Sequence, residues 1–261
     1  MKNLDKLLSW LQTSEYDGVI LGRRDNFKWI TEENANAVVT NTEVGVAHLL
    51  IEKDGSVTVA ADSSDCPRME TEQNALRAKG MLIPWYESFE AHLKDYIGDR
   101  TFASDTGIAG TDNVQSELID VRMQLSEKEL KRYRKIGQEC AGIVEGVAMN
   151  ARPGQTEQEI ADKIRTGCIA RGISPDCEIG RAHVRTGCRE FTVTPETKGV
   201  IKKNQAYAWN PTIAGTKCED TTFLADNGVE IFTRTKAWPC TVIETEYGSC
   251  SVADILYIKN E

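Results

Sequence analysis

The chain has 261 residues, of which 40% are hydrophobic, and its 31 basic and 40 acidic residues give a formal net charge of −9. This length allows one large domain or two of ordinary size, and we expect two. The acidic balance, with no basic run and no basic stripe interleaved with aromatic residues, argues against a nucleic-acid partner. No apolar run reaches membrane length and the first residues do not form a signal-type segment, so the sequence predicts a cytoplasmic protein with no membrane partner.

The cysteines are spread along the chain and include no Cys-x-x-Cys pair. Without a secretory signal, an even number of cysteines is a poor indication of disulfides, because cytosolic thiols stay reduced. A cysteine side chain also packs as a small apolar group, so we expect buried free thiols. The eight cysteines stand at positions 66, 140, 168, 177, 188, 218, 240 and 250.

The first 124 residues alternate helical and strand patterns. Leucines at helical spacing open the chain, and the short apolar run at 17–22 predicts a buried strand. A hairpin of 44–51 with 56–60 is predicted because Asp54-Gly55 is a strong turn signal. This pattern predicts a mixed α/β domain at 1–124. Its other predicted elements are strands at 27–30, 81–85 and 101–104 and helices at about 69–79 and 89–97.

The residues from 125 onwards begin with two helices that carry their own start signals. Ser126 and Glu129 form a capping box ahead of a long amphipathic helix, and Thr156 and Glu159 form a second one. Between the two helices stands the turn Arg152-Pro153-Gly154. We therefore place a second domain at 125–261.

Three segments of the second domain carry a resemblance to a known family. They are the turn with its capping box (152–160), the strand-like Gln205-Ala206-Tyr207-Ala208-Trp209-Asn210-Pro211, and the hairpin pattern of 217–224 with 227–233. With a mixed α/β domain in front, they resemble aminopeptidase P, prolidase and creatinase, the pita-bread metallopeptidases. The resemblance implies the α/β (α+β) class, with a creatinase-type N-terminal domain followed by a shortened pita-bread domain.

The resemblance also implies where metal ligands would stand. The family site uses two aspartates, a histidine and two glutamates, because bridging carboxylates offset the repulsion between two divalent ions. Glu219 matches one glutamate, and it is the metal candidate, for manganese, cobalt or zinc. Asn210 replaces the other glutamate, and its neutral carbonyl bridges cations much less well. Arg189-Glu190 stands where the family has a histidine-glutamate pair.

The aspartates and the ligand histidine should lie between Gly172 and Arg189, but only about sixteen residues separate these two. The second domain therefore lacks a segment near 173–187 relative to the family. Residues 177–185 have no family counterpart, and 179–184 is what one reading frame of a widely used sequencing-adapter oligonucleotide encodes. We take a cloning or assembly artefact at this junction as a hypothesis, which resequencing of the genomic locus across codons 172 to 188 tests.

The candidate site residues each have an alternative interpretation. His183 and Glu190 are weak catalytic candidates, and a solvated loop histidine is the plainer interpretation of His183. Trp209 and Asn210 are candidates for substrate contact, although a tryptophan on a strand more often belongs to a core. Glu219 and Asp220 also have a structural interpretation, in which they hydrogen-bond backbone groups or face solvent at a strand end. His48 and His92 are expected to be structural.

Three functions stay open at the level of sequence. One is an Xaa-Pro peptidase-like protein whose metal-dependent hydrolysis beside proline is weak or lost. The second is a non-catalytic protein that binds a peptide or small molecule or acts as a scaffold, without a cofactor. The third is a metal-independent, creatinase-like amidinohydrolase, which needs a well-placed histidine such as His183. The resemblance further implies a homodimer.

Overall fold

The structure is a computed structural model that describes residues 2–32, 34–39, 42–173, 194, 196–213 and 216–257, with the backbone alone at 212, 213, 216 and 217. The chain divides into two compact units, Met1–Gln124 and Leu125–Glu261, here called unit 1 and unit 2. Each unit has its own sheet and its own core, and each is described by itself.

Unit 1 alternates helices and strands along most of its length. Its elements are α1 (Asn3–Thr13), β1 (Gly18–Arg23), α2 (Arg24–Thr31), β2 (Val44–Glu52), β3 (Val57–Asp62), α3 (Cys66–Thr71), β4 (Lys79–Ile83), α4 (Phe89–Ile97), β5 (Phe102–Ser104), a 3-10 turn (Ile108–Gly110), β6 (Asp112–Asn113) and α5 (Gln115–Arg122).

The strands of unit 1 form one six-stranded sheet in the order β4-β3-β2-β1-β5-β6. Strand β1 lies in its middle, antiparallel to β2 and parallel to β5. The two faces of β1 enter different cores: Val19 and Leu21 belong to one, and Ile20 belongs to the other. A strand buried on both faces requires a continuous apolar run, which explains the sequence at 17–22.

Two acidic side chains inside unit 1 are held by hydrogen bonds and an ion pair. The Asp105 carboxylate, just after β5, accepts hydrogen bonds from the backbone N–H groups of Gly22 and Arg23, both at 2.9 Å. Arg122 of α5 forms an ion pair with Asp25 of α2 at 2.8 Å, and both side chains are buried. Burial raises the pKa of Asp105. For Asp25, burial opposes ionisation, but the charge and hydrogen bond of Arg122 prevail and lower its pKa.

Two secondary-structure predictions for unit 1 are wrong. Residues 27–30 were predicted as a strand but belong to helix α2, in which Phe27 and Ile30, spaced by three, are both buried. The helix predicted at about 69–79 ends at Thr71. The side chain of Asn74 bonds both the N–H and the carbonyl of Ala78, and such local bonds compete with helix formation.

Unit 2 begins with two helices and continues with strands. Its elements in the described residues are α6 (Glu127–Met149), α7 (Glu157–Ala170), β7 (Ala206–Trp209), β8 (Thr212–Ile213), β9 (Thr216–Lys217), β10 (Asp220–Ala225), β11 (Gly228–Ile231), β12 (Cys240–Thr245) and β13 (Gly248–Ala253).

The predicted start signals of both helices in unit 2 are confirmed. The Ser126 and Thr156 side chains each accept a hydrogen bond from the backbone of the residue three further on, and the glutamate at that position bonds back. Each box satisfies helix-end N–H groups that would otherwise lack a partner.

The larger sheet of unit 2 has the order β11-β10-β7, and one of its faces packs on α6. Leu130, Phe223 and Phe232 form the buried centre of this packing. Gly137 lets the chain approach α6 closely, because a Cβ there would lie 2.8 Å from the Phe232 carbonyl oxygen. Strands β12 and β13 form a separate hairpin, and its residues are exposed except for Val252.

The prediction that the cysteines are buried is right for half of the described ones. Cys66, Cys140 and Cys168 are buried, whereas Cys218, Cys240 and Cys250 are exposed, and all six are free thiols. The prediction is wrong for Cys240 and Cys250 because they lie on the exposed hairpin β12–β13. Cys177 and Cys188 lie outside the described residues.

None of the helices in the described part of the chain combines the length and the apolar composition that a membrane crossing requires.

Candidate functional site

The candidate site lies where β7 ends and β10 begins. The antiparallel register pairs Asp220 with Trp209. Continued by one residue, this register brings Asn210, just after β7, opposite Glu219, just before β10. Both residues are half-buried. Two of the sequence candidates are thus neighbours by strand register.

The Asp220 carboxylate already interacts with other side chains of the protein. The Thr233 hydroxyl donates a hydrogen bond to Asp220 Oδ1 at 2.7 Å, and the same hydroxyl accepts one from the Thr221 N–H at 3.1 Å. The guanidinium of Arg234 lies 3.5 Å from Asp220 Oδ2. This carboxylate therefore has a cation and a hydroxyl as neighbours inside the protein.

Arg234 also binds a second element of unit 2. Its Nη1 donates to the carbonyl oxygen and to the hydroxyl of Ser251 on β13, at 3.0 and 3.2 Å. One guanidinium thus connects the start of β10 to the hairpin β12–β13. Its positive charge is held beside the candidate site by several bonds, so it is a fixed feature of that surface.

Trp209 lies at the end of β7 with 52% of its surface exposed, so it is not a core residue. Its Nε1–H donates to the Thr222 hydroxyl at 2.7 Å, and its ring centroid lies 6.0 Å from that of Tyr207. The two aromatic rings and the hydroxyl form one surface on the strands next to Asn210. The arrangement offers a flat apolar contact beside a polar amide.

A shallow pocket lies on the α6 side of the same strands. Its lining includes Tyr133, Cys140, Thr221 and Thr233. Burial raises the pKa of Cys140 to about 11, so its thiol stays protonated near neutral pH. A protonated, buried thiol is a poor nucleophile.

The described residues do not fit the divalent metal pair that the fold implies. Within them, no group of three or more histidine, cysteine, aspartate and glutamate side chains is arranged to hold a metal ion. Asn210 brings no charge, and Asp220 is bonded to Thr233 and Arg234. Bridging two cations requires several carboxylates with oxygen atoms available to metal, and Glu219 alone does not provide them. His183 and Glu190, the weak catalytic candidates, lie outside the described residues.

Thr233 and Arg234 are the site residues that the sequence analysis missed, although a signal was present. The hairpin pairs Thr222 with Ile231. The same register, extended by two residues, puts Thr233 opposite Asp220. Applying the hairpin register to the residues just beyond each strand would have identified this contact.

This architecture is the fold of the pita-bread peptidases, which include prolidases and Xaa-Pro peptidases, and it confirms the predicted fold class and the resemblance at the level of fold. The chain is similar to the Xaa-Pro dipeptidase from Bacillus anthracis, with a TM-score of 0.64 and 11% identity over 90% of this chain and 98% of that chain. It is similar to the prolidase from Pyrococcus horikoshii OT3, with a TM-score of 0.66 and 13% identity over 90% and 99%.

A recombinant prolidase from Thermococcus sibiricus also matches, with a TM-score of 0.51 and 13% identity over 86% of this chain and 65% of that chain. No family sequence model and no curated protein sequence matches the chain. At these identities the likeness defines the fold alone, and the chemistry has to be argued from the site.

Proposed function

We propose that this chain is a peptidase-like protein that keeps the fold of the Xaa-Pro peptidases but does not carry out metal-dependent hydrolysis beside proline. The observation that carries this proposal is the neutral amide of Asn210 opposite Glu219, beside an Asp220 carboxylate that is already bonded to protein groups. The two carboxylate oxygens of Asp220 face the Thr233 hydroxyl and the Arg234 guanidinium. A carboxylate held in this way has already found a hydrogen-bond donor and a positive charge, which are the interactions that a metal ion would replace.

Electrostatics at the site supports the same proposal. A divalent cation beside Asp220 would lie close to the fixed charge of Arg234, and like charges at such separations repel even when water screens them. Asn210 further lowers the negative charge, because an amide stands where the family resemblance implies a carboxylate. Both changes reduce cation affinity in the same direction.

The proposal leaves binding as the activity of the site. Trp209 and Asn210 are its contact residues for a peptide or a small organic molecule, since an exposed indole supplies apolar area and an amide supplies both a donor and an acceptor.

We also propose a cytoplasmic location, because three exposed free thiols suit a reducing compartment. Homodimerisation stays a separate prediction.

Metal binding and turnover test this proposal together. Isothermal titration of the full chain with Mn²⁺, Co²⁺ or Zn²⁺ at neutral pH should show no stoichiometric binding, and hydrolysis of a proline-containing dipeptide with each metal added should not exceed the buffer rate. Stoichiometric metal with turnover that Glu219→Gln abolishes would contradict the proposal.

Asn210→Glu provides the matched control. This change puts a second carboxylate opposite Glu219, and in a variant whose circular dichroism matches that of the natural chain we expect it to raise Mn²⁺ affinity measurably. Glu246→Gln, at an exposed turn, should leave the titration unchanged. Asn210→Glu without any gain in affinity would mean that the fixed positive charge, and not the amide, limits metal binding.

A further inference from the structure

His48 of unit 1 is a buried histidine in the middle of a sheet. It lies on β2, paired with Ala60 of β3, and only 6% of its surface is exposed. Its ring centroid lies 5.0 Å from that of Phe89, the first residue of α4. On the β1 side it packs on Gly22, where a Cβ would come within 2.3 Å of Nε2. The imidazole is therefore enclosed between the sheet and the first turn of α4.

Neither ring nitrogen of His48 has a hydrogen-bond partner among the described residues. A neutral imidazole in this place has one donor and one acceptor that are unsatisfied, and a protonated one would have two donors and a charge. Burying a charge without a partner is far more costly than burying a neutral polar group. The neutral ring is consequently the state that this packing accepts.

The charged groups around this site are engaged elsewhere and do not compensate a charge on His48. The pKa of His48 is lowered to about 4, and burial is its cause. On β1, Arg23 pairs with Asp25 and Glu43. On β3, Asp62 accepts from the Ser64 and Asp65 backbone, and after β5, Asp105 accepts from the Gly22 and Arg23 backbone. On or beside α4 stand the pairs His92–Glu87 and Lys94–Glu90 and the exposed Asp95. The Tyr96 hydroxyl of α4 donates to Glu52 at the end of β2, which also pairs with Arg100.

We propose that His48 is an acid-sensitive latch that releases the first turn of α4 from the sheet when its ring is protonated. Phe89 covers the ring, so the charged imidazole reaches water by displacing this side chain and the helical turn that carries it. That turn depends on one side-chain cap, in which Ser88 Oγ accepts from the Ala91 N–H at 3.3 Å. On the β3 side of His48 the ladder is unbroken from Ala47 to Ile51, whereas on the β1 side it is interrupted between Leu21 and Arg23. We expect the strands to stay in place, because both neighbours remain paired to β2 over the rest of its length.

Amide hydrogen exchange tests the latch. With a pKa of 6.5 in the open state and about 4 in the closed state, acidification from pH 7 to pH 5 should raise the opening equilibrium about twentyfold. The exchange rates in 89–93 of the full chain, each divided by the intrinsic rate at that pH, should rise by this factor. The amides of β2 and β3 should not change.

His48→Phe and His48→Leu keep an apolar ring or branch against Phe89 and cannot be protonated, so either variant that folds should abolish the pH dependence in α4. His92→Gln, which removes a surface imidazole of the same helix, should retain it. A twentyfold rise that persists in both His48 variants, an unchanged α4 in the natural chain, or equal opening of the strands and the helix would each overturn the proposal.

Discussion

Unit 1 and unit 2 differ in how completely their sheets are covered. Of the 32 buried hydrophobic side chains in the described residues, 25 belong to unit 1 and 7 to unit 2. Buried apolar area is the main term that opposes chain entropy, so the described part of unit 2 has much less to stabilise it. The described parts of the two units are of similar length, so within them the contrast reflects packing and not size.

This contrast separates the features that identify the fold from those that stabilise it. The features that carry the family pattern lie in unit 2, in its capped helices and in the hairpin of β10 and β11, and these are local features. Unit 2 also exposes large apolar side chains such as Trp209, Val229 and Val242. A fold can thus be recognised from turns, caps and register even where its core is small. The predictions below compare equivalent substitutions in the two units.

Truncation at the centre of each core should give the largest effects. Phe27→Ala in unit 1 and Phe232→Ala in unit 2 each remove a fully buried aromatic ring, which costs about 3–5 kcal/mol. Unit 2 has Phe232 as one of three buried side chains in its sheet core, so we expect this change to abolish its cooperative unfolding. Unit 1 should still unfold cooperatively after Phe27→Ala, with its midpoint at a lower urea concentration.

Urea unfolding followed by hydrogen exchange in each unit measures this comparison. In the natural chain unit 2 should open at lower urea than unit 1. Val229→Ala, at a position that is 66% exposed, serves as the control and should leave both transitions in place. Equal loss of free energy in both units after the two core changes would show that the sparse core of unit 2 does not limit its stability.

The next largest effect should come from the buried ion pair of unit 1. Arg122→Met removes the buried partner of Asp25 while keeping an unbranched apolar stem. It leaves that carboxylate with only the more exposed Arg23, at 3.3 Å. Breaking a buried pair from one side costs about 3–5 kcal/mol. The free energy of unfolding of unit 1, from its urea transition, measures the loss.

The pH dependence of this loss follows from the pKa of Asp25, which is lower in the folded state. Such a group stabilises the fold above its unfolded pKa of about 3.9, and this contribution disappears as the pH falls through the folded value. The difference between the natural chain and Arg122→Met should therefore be constant above about pH 5 and shrink below about pH 4. A difference that grows on acidification would contradict the ion-pair explanation.

Much of the fold followed from the sequence because its signals are local. The capping boxes at Ser126 and Thr156 and the turn at Asp54-Gly55 each rest on residues a few positions apart, and the structure has them as predicted. Residues 27–30 were misassigned because a run of four residues suits a strand and a helix equally, and burial against the sheet decided between them.

The candidate site was less predictable because its decisive contacts are not local. That Asn210 and Glu219 stand next to each other follows from the pairing of β7 with β10, and the sequence patterns do not predict this register. The bond from Thr233 to Asp220 needs the register of the hairpin β10–β11, extended past the strand ends. The position of Arg234 between Asp220 and Ser251 depends on where the hairpin β12–β13 lies, and no sequence pattern indicates that.

A smaller effect should come from helix caps, which occur in both units. Ser88→Ala removes the cap of α4 in unit 1, and Ser126→Ala breaks the capping box of α6 in unit 2. Each change should cost about 1 kcal/mol, because the helix-end N–H loses its acceptor. Because we expect unit 2 to be less stable than unit 1, the same loss of free energy should lower the urea midpoint of unit 2 by a larger fraction.

Thr at position 88 or 126 should recover most of the loss, because it retains the hydroxyl acceptor. Far-ultraviolet circular dichroism during urea unfolding, combined with hydrogen exchange in α4 and α6, assigns each shift to its helix. If Ser126→Ala had no effect while Ser88→Ala did, α6 would be held by its packing on the sheet and not by its cap.

The smallest effect should come from the ion pair of unit 2 that matches the buried one of unit 1. Arg134 of α6 bonds both carboxylate oxygens of Glu230 on β11 at 2.8 Å, but the two side chains are 42% and 37% exposed. Water screens such pairs, so Arg134→Met should cost at most about 1 kcal/mol although its geometry is bidentate. Added salt should reduce the cost further, whereas it should barely change that of Arg122→Met. Equal costs and equal salt dependence for the two arginines would mean that burial does not distinguish the two units at their ion pairs, and the contrast between them would then rest on apolar packing alone.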